Sequence, residues 1–302
     1  MLRELILLLM SQLVNNLFTC FIMYNININS EFEKLIPFVR FVGEEVLKIY
    51  NSEICVDIKE DNSPVTQADI LANDLIVDFL RMEFSDCGII SEEVSELDSG
   101  GRMVFVIDPI DGTKGFISKN GEFAIMIGVL YDFRPIFGIV YEPVTGRLFV
   151  AERNVGSFLS VDNSEFVKLK VSDVSDFIFV RMFRSRNHFS VMDKFLVDKL
   201  GIPNFGFMGS IGIKVCKICA DENDIYINLS SRLGKWDCCA PQIILEEAGG
   251  EVFDKFGNEL DYSVSCRRMV NGFIGINSGL SKAKILGCVL ELGFEKNKFK
   301  RR

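Results

Sequence analysis

Between residues 31 and 50, apolar side chains recur at Leu35, Phe38, Val39, Val42, Val46 and Leu47. This spacing of three and four predicts a helix with one apolar face. The polar run KEDNSP (59–64) ends the pattern as a loop. Thr66 and Asp69 then form a capping box that opens a second helix, from 67 to about 83, with Leu71, Leu75, Ile76, Phe79 and Leu80 on its inner side. The period next changes. Gly88-Ile89-Ile90 and Met103–Ile107 are short, continuously apolar runs that read as buried strands. The first leads into Ser91-Glu92-Glu93, and the second is expected to stop at Asp108-Pro109. Residues 98–101 between them are loop. Runs at 123–130 and 135–141 flank Tyr131-Asp132-Phe133-Arg134 as a hairpin, and 147–151 and 156–160 continue it as a meander.

The stretch VDNSEFVKLKVSDVSD (161–176) is polar and predicts a domain boundary near residue 175. Beyond it we expect a strand at 177–180, a helix at 191–200, a helical stretch IGIKVCKICA (211–220) and a strand at 224–228. A helix at 237–248 closes on Gly249-Gly250. Strands at 251–253 and 273–276 and a helix at 280–292 complete the pattern, before a basic, solvated tail. The chain thus divides into an extension (1–30), an α+β half (31–174) and an α/β half (175–302). In the extension, Ser11, Gln12, Asn15 and Asn16 interrupt the apolar residues, so no run of about 18–20 is left to span a bilayer. Arg3 is followed at once by Glu4, and no small-residue cleavage site follows, which argues against a secretory signal. The extension reads as an amphipathic helix packed on the domain, or as a start placed too early, with Met10 and Met23 as alternatives. Attachment to a membrane surface is possible but not favoured, and the expected location is cytoplasmic.

Charge narrows the choice of function. The 302 residues carry 42 acidic and 33 basic side chains, a net −9, which gives no diffuse attraction to a nucleic-acid polymer. An anionic substrate would need local positive charge from a few Lys or Arg, or from bound cations. A single His rules out a His-rich zinc site, and a Ser-His-Asp triad could use only His188. Nine Cys in no recognisable spacing give no disulfide framework. Cys216, Cys219, Cys238 and Cys239 could form a zinc site but lack the usual spacing; buried cysteines acting as small hydrophobes are the plainer reading.

The informative stretch is Asp108-Pro109-Ile110-Asp111-Gly112-Thr113. A buried strand runs into two carboxylates that would repel each other unless a cation sits between them. All-oxygen ligands suit a hard divalent ion, Mg²⁺ in particular. Gly112 and Thr113 offer backbone N–H groups at the turn, and N–H groups beside a cation make a seat for phosphate. Alone, this stretch could equally be an Asx-rich turn. Three further acidic sites accompany it. Asp69 could simply complete its capping box, Glu92-Glu93 could be a solvated loop, and Asp237, after the single Trp236, could be an N-cap.

Together, Glu92-Glu93, Asp108–Thr113 and Trp236-Asp237…Glu246-Glu247-Ala248-Gly249-Gly250 resemble the signatures of the inositol monophosphatase superfamily of Mg²⁺-dependent, lithium-sensitive phosphatases, over about residues 31–278. Several details are similar to its 3′(2′),5′-bisphosphate nucleotidase (CysQ) branch. They are Lys59-x-Asp61-Asn62-Ser63-Pro64-Val65-Thr66-x-Ala68-Asp69, Lys114 after Thr113, Phe116-Ile117…Asn120-Gly121-Glu122-Phe123, Ser185-Arg186-Asn187-His188 and Gly209-Ser210…Lys214. Gly115 departs from the branch, whose bacterial members more often carry Glu there, and this bears on fine substrate preference.

The resemblance implies a sugar-phosphatase fold, mixed α/β in α/β/α/β/α layers, with the site between the halves. It implies two or three Mg²⁺ ions: one on Glu92, Asp108 and the Ile110 carbonyl, a second on Asp108, Asp111 and Asp237, and a possible third at Glu93. Glu92 and Thr113 would orient the attacking water, with Asp69 accepting from the Thr113 hydroxyl. Gly112, Thr113 and Lys114 would face the scissile phosphate, with Asp237 also touching substrate. Ser185, Arg186 and His188 would hold a second phosphate, and Gly209, Ser210 and Lys214 would shape the nucleotide site. The implied reaction is hydrolysis of the 3′-phosphate of adenosine 3′,5′-bisphosphate by a monomer or homodimer acting on small molecules. The alternatives are an inositol-1-phosphate or broad sugar-phosphate phosphatase, and a non-catalytic phosphate-binding scaffold.

Overall fold

The computed structural model describes residues 26–60, 63–84, 86–94, 101–186, 191–263 and 267–299. Residues 1–25 of the extension, the 98–100 part of the loop before the Met103 strand, and Asn187-His188 lie outside them. The first apolar pattern becomes two helices, α1 (Ser30–Glu33) and α2 (Leu35–Tyr50). Pro37 explains the break, because it has no N–H to donate back to Glu33. The hairpin β1 (Val56–Ile58) and β2 (Pro64–Thr66) flanks the predicted polar loop, and α3 (Gln67–Glu83) follows with its capping box formed. Phe38 of α2 stacks on Phe79 of α3 with ring centroids 3.8 Å apart.

A seven-stranded sheet comes next: β3 (Gly88–Ser91), β4 (Met103–Asp111), β5 (Ala124–Tyr131), β6 (Arg134–Glu142), β7 (Arg147–Glu152), β8 (Gly156–Val161) and β9 (Val167–Lys168), paired in that order. Only β3 and β4 run parallel; the others form an antiparallel meander. The two-residue turn Asp132-Phe133 has positive φ at both positions, as a tight hairpin twisted with its strands requires. A short helix α4 (Thr113–Ile117) leaves the end of β4.

The five-stranded sheet has the order β11-β10-β12-β14-β13, from β10 (Arg181–Ser185), β11 (Asn204–Met208), β12 (Ile225–Asn228), β13 (Glu251–Phe253) and β14 (Phe273–Ile276). Its helices are α5 (Val191–Leu200), α6 (Ile211–Cys219), α7 (Lys235–Glu247) and α8 (Lys282–Phe299). The strand expected at 177–180 instead begins at Arg181. Asp176 accepts a hydrogen bond from the Ile178 N–H and turns the chain there, so buried Phe177 and Val180 pack from a turn. Strand β11, carrying exposed Phe205 and Phe207, has no counterpart in the sequence reading.

Three apolar cores separate five layers. The first joins α2 and α3 to one face of the large sheet, the second places α6 and α7 between the sheets, and the third joins the small sheet to α5 and α8. This is the α/β/α/β/α order the resemblance implied. Gly128 and Gly138 face each other across β5 and β6, and a Cβ on either would run into Cys239, Ala240 or Ile243. Their bareness lets α7 lie close on the sheet, which seats its acidic first turn at the sheet end. Cys216, Cys219, Cys238 and Cys239 are all buried in the middle core, and burial pushes their thiols upward. Among the described residues no helix is long and apolar enough to cross a membrane. Of the extension, Ile28 is buried in the first core and Ile26 packs against it.

Candidate active site

Strand β4 does not stop at Asp108; it runs through the acidic motif with an irregularity. Asp108 pairs with Met126, but Asp111 pairs with Ala124, so three steps on β4 match two on β5. In a regular strand, residues three apart face opposite sides. The extra residue at Pro109–Ile110 puts both aspartates on the face of Met126 and Ala124, which belong to the middle core. There α7 presents Asp237. Carboxylate oxygens of Asp108, Asp111 and Asp237 lie within 4.8 Å of one another, the one such cluster among the described residues.

Burial pushes Asp108 well above the usual carboxylate range, and repulsion from Glu92 and Asp111 adds to it. Asp237 is pushed up for the same reasons, burial first and then Asp111 and Glu92. Three crowded like charges with oxygen donors, two of them buried and Asp237 half-buried, are what a hard divalent cation would relieve, so these residues fit one. Asp111 keeps one oxygen on the second half of the molecule: its Oδ2 accepts from Ser210 Oγ at 2.6 Å and from the Gly212 N–H at 2.7 Å.

Strand β3 runs parallel to β4 with Ser91 opposite Ile107, and the Glu92 N–H donates to the Ile107 carbonyl. Glu92 therefore emerges beside Asp108, but outside the three-carboxylate cluster. Lys59 holds it at 3.1 Å and holds Glu93 at 2.5 Å. Burial works against the Lys59 charge, but the two glutamates outweigh it and raise the ammonium to about 12. Glu93 is pushed up to about 7 by burial and by Glu92, against the pull of Lys59.

Gly112 turns the chain into α4 with φ 97°, a conformation that favours glycine, and a Cβ there would meet the Glu122 carbonyl at 2.5 Å. Thr113 Oγ1 lies 3.3 Å from Asp69 Oδ1 and 3.3 Å from the Ile110 carbonyl. Asp69 also accepts from the Thr66 N–H at 2.8 Å and hydroxyl at 2.6 Å. Burial still leaves Asp69 raised despite those bonds. Lys114 is exposed.

The second-half residues stand differently. Ser185 ends β10, and Arg186, exposed, forks onto Glu122 with Nη2 at 2.5 Å and Nε at 3.0 Å. Ser210, with φ 29°, caps α6 by accepting from the Ile213 N–H. Lys214 is buried, and its ammonium donates to the carbonyls of Met208 (3.4 Å), Gly209 and Ser210 (2.6 Å). Burial lowers it to about 8. It shapes the loop from beneath. His188 lies outside the described residues.

Sequence reasoning left three participants without a role. Lys59 and Glu122 stand inside motifs it had singled out. Arg267 had no signal at all: its guanidinium donates to the carbonyls of Ser91 and Glu92 and lies 4.9 Å from the Trp236 ring centroid. The Lys235 N–H donates to the Arg267 carbonyl, so one short segment straps both Glu92 and the start of α7.

The model of the inositol monophosphatase family matches residues 29–280. The 3′(2′),5′-bisphosphate nucleotidase CysQ of Escherichia coli K12 is 30% identical over 239 residues, covering 76% of this chain and 93% of that protein. The CysQ of Buchnera aphidicola is 32% identical over 247 residues, covering 78% and 88%. Among solved structures, an IMPase of Thermotoga maritima superposes with a TM-score of 0.75 at 24% identity, covering 88% of this chain and 99% of that one. CysQ from Bacteroides thetaiotaomicron superposes with 0.66 at 26% identity, covering 80% and 94%.

Proposed function

Since the chain belongs to the inositol monophosphatase family of phosphatases, we propose that it is a Mg²⁺-dependent nucleotidase that hydrolyses the 3′-phosphate of adenosine 3′,5′-bisphosphate to AMP and phosphate. The observation that carries this reading is the acidic centre of Asp108, Asp111 and Asp237 in a chain about 30% identical to CysQ nucleotidases. Asp108, Asp111, Asp237, Glu92 and the Ile110 carbonyl would hold the ions, with Glu93 available to another. Bound there, Mg²⁺ supplies charge neutralisation for the phosphate and activation of water.

The chain's own groups do the rest. The backbone N–H groups of Gly112 and Thr113 bind the scissile phosphate oxygens, and Lys114 lies next to them in sequence. Thr113 offers its hydroxyl to the attacking water while Asp69 receives the hydroxyl proton's hydrogen bond, and Glu92 orients the same water. Neither role needs a histidine base. Ser185, Arg186 and His188 take the second phosphate, and Gly209, Ser210 and Lys214 form the wall beside it. The second reading is a phosphatase of inositol-1-phosphate or other sugar phosphates, in which the Glu122–Arg186 pair would serve only to join the two walls.

Phosphate release from adenosine 3′,5′-bisphosphate and from inositol-1-phosphate, each with Mg²⁺ and with or without Li⁺, decides between them. A strong nucleotide preference, abolished by Li⁺, is expected. Preference for inositol phosphate would overturn the nucleotidase reading and keep the ion site. No turnover of either substrate with Mg²⁺ bound would favour a phosphate-binding scaffold.

A further inference from the structure

The Asn120–Phe123 turn belongs to the large sheet, yet its Glu122 side chain serves the other half of the molecule. Glu122 Oε2 accepts from the Gly209 N–H at 2.7 Å and from Arg186 Nε at 3.0 Å, and Oε1 accepts from Arg186 Nη2 at 2.5 Å. The turn itself is fixed, because the Glu122 N–H donates to Asn120 Oδ1 at 2.9 Å. The Glu122 carbonyl is nested among three glycines. A Cβ would meet it at 2.5 Å from Gly112 and 2.9 Å from Gly209, and closer still from Gly115. Gly112 and Gly115 belong to the turn that carries Thr113, and Gly209 precedes Ser210. One residue thus touches both walls of the site.

An exposed ion pair alone would be worth little. This one differs in three ways. The guanidinium fork is bidentate. The same carboxylate also holds a backbone N–H. Its side chain is only 18% exposed. Burial works to raise the Glu122 carboxyl, but Arg186 and the Gly209 N–H outweigh it and hold the group below its usual range. The Met208–Ser210 loop is gripped twice, its N–H by Glu122 and its carbonyls by Lys214. Its last residue, Ser210, donates to Asp111.

We propose that Glu122 is a positioning residue that aims Arg186 at the substrate's second phosphate and holds the Met208–Ser210 loop so that Ser210 and Gly212 fix Asp111. The Arg186 part rests on the nucleotidase reading; the loop part does not. The test is kcat and KM, taken separately, for E122Q, E122A, R186A and E122A/R186A on adenosine 3′,5′-bisphosphate and inositol-1-phosphate. The Gln side chain keeps an acceptor for Gly209 but loses the charge facing Arg186. E122Q is therefore expected to raise KM for the bisphosphate about tenfold and leave kcat within about twofold. E122A should add a fall in kcat of about tenfold on both substrates, with no further rise in KM when Arg186 is also removed. Unchanged KM in E122Q, or E122A and R186A effects that multiply fully, would overturn the proposal. So would equal losses on both substrates that track a lower melting temperature. If wild-type enzyme shows no preference for the bisphosphate, the nucleotidase reading fails by itself, and the kcat loss of E122A on inositol-1-phosphate, rescued in E122Q, still decides the loop role.

Discussion

On one side of the acidic centre, Asp108, Ile110, Asp111, Gly112 and Thr113 lie within six consecutive residues, at the end of one strand and the start of one short helix. On the other side, the groups that complete it come from far apart: Ser210 and Gly212 at the start of α6, Asp237 in the first turn of α7, and Arg267 beyond it. The first wall is set by local backbone geometry, one irregular strand register and one positive φ. The second is set by long-range hydrogen bonds between elements. Damage to the first wall, or to Asp237 itself, should therefore show in turnover, and damage to the rest of the second wall in stability and in the placing of groups that remain chemically intact.

Asp111→Asn gives the largest effect. The amide oxygen can still accept from Ser210 and Gly212, so the fold should survive, with a melting temperature within a few degrees of wild type. The lost charge should lower kcat/KM by at least about 10³-fold. Circular dichroism melting and phosphate release check both halves of this expectation. Activity within a few-fold of wild type would remove Asp111 from the ion site.

Lys214 tests the other wall through pH. Its ammonium is lowered from an ordinary 10.5 to about 8 by burial, although Asp111 and Glu122 pull it back up. Between about 8 and 10.5 the unfolded chain holds a proton that the folded chain has lost, so stability contributed by this group rises with pH across that window. Below about 8 the cost of the buried charge is felt in full. Lys214→Met removes this dependence. The difference in unfolding free energy, wild type minus variant, should increase by on the order of 3 kcal/mol from pH 8 to pH 10.5. Urea titrations at several pH values measure it. A flat difference would mean that Lys214 is solvated in solution.

Thr113→Val sharpens the contrast from the first wall. It deletes the hydroxyl that reaches both Asp69 and the Ile110 carbonyl while keeping the shape of the side chain. A fall in kcat of about 10–100-fold, with KM nearly unchanged, is expected if the hydroxyl acts on the attacking water. A matching loss in Asp69→Asn, not multiplied in the double variant, would show that the two act as one unit.

The same contrast explains what could be read from the sequence. The helices α2 and α3, the β5–β6 hairpin and the meander follow from local period and turn residues, and each stands close to its expected bounds. The Asp69–Thr113 approach was implied by the family resemblance and stands at 3.3 Å. The continuation of β4 through Asp111 was not legible, because a bulge is a property of pairing and not of one strand. Nor was β11, whose apolar residues flank a glycine and stay half-exposed at a sheet edge. The resemblance implied that Lys214 shapes the nucleotide site; only the fold shows its ammonium donating to three carbonyls of its own loop. Arg267 lies 175 residues from Glu92, and no local pattern joins them.

Arg267→Gln carries the smallest expected effect and asks whether a strap alone matters. The guanidinium holds the carbonyls of Ser91 and Glu92, at the end of β3, against the segment that leads into α7. Burial and neighbouring Arg268 depress its basicity, while Glu92 and Glu93 favour its charge. Glutamine can keep one of the carbonyl contacts but not the stacking on Trp236. A loss of about 1–2 kcal/mol in stability is expected. Glu92 is held independently by the β3–β4 pairing and by Lys59, so kcat/KM should fall only about threefold to fivefold. Lys59→Met in the same background should then cost more than it does alone, because the Glu92 turn would have lost its second support. Equal costs in the two backgrounds would show that β3 fixes Glu92 without help from the other half of the molecule.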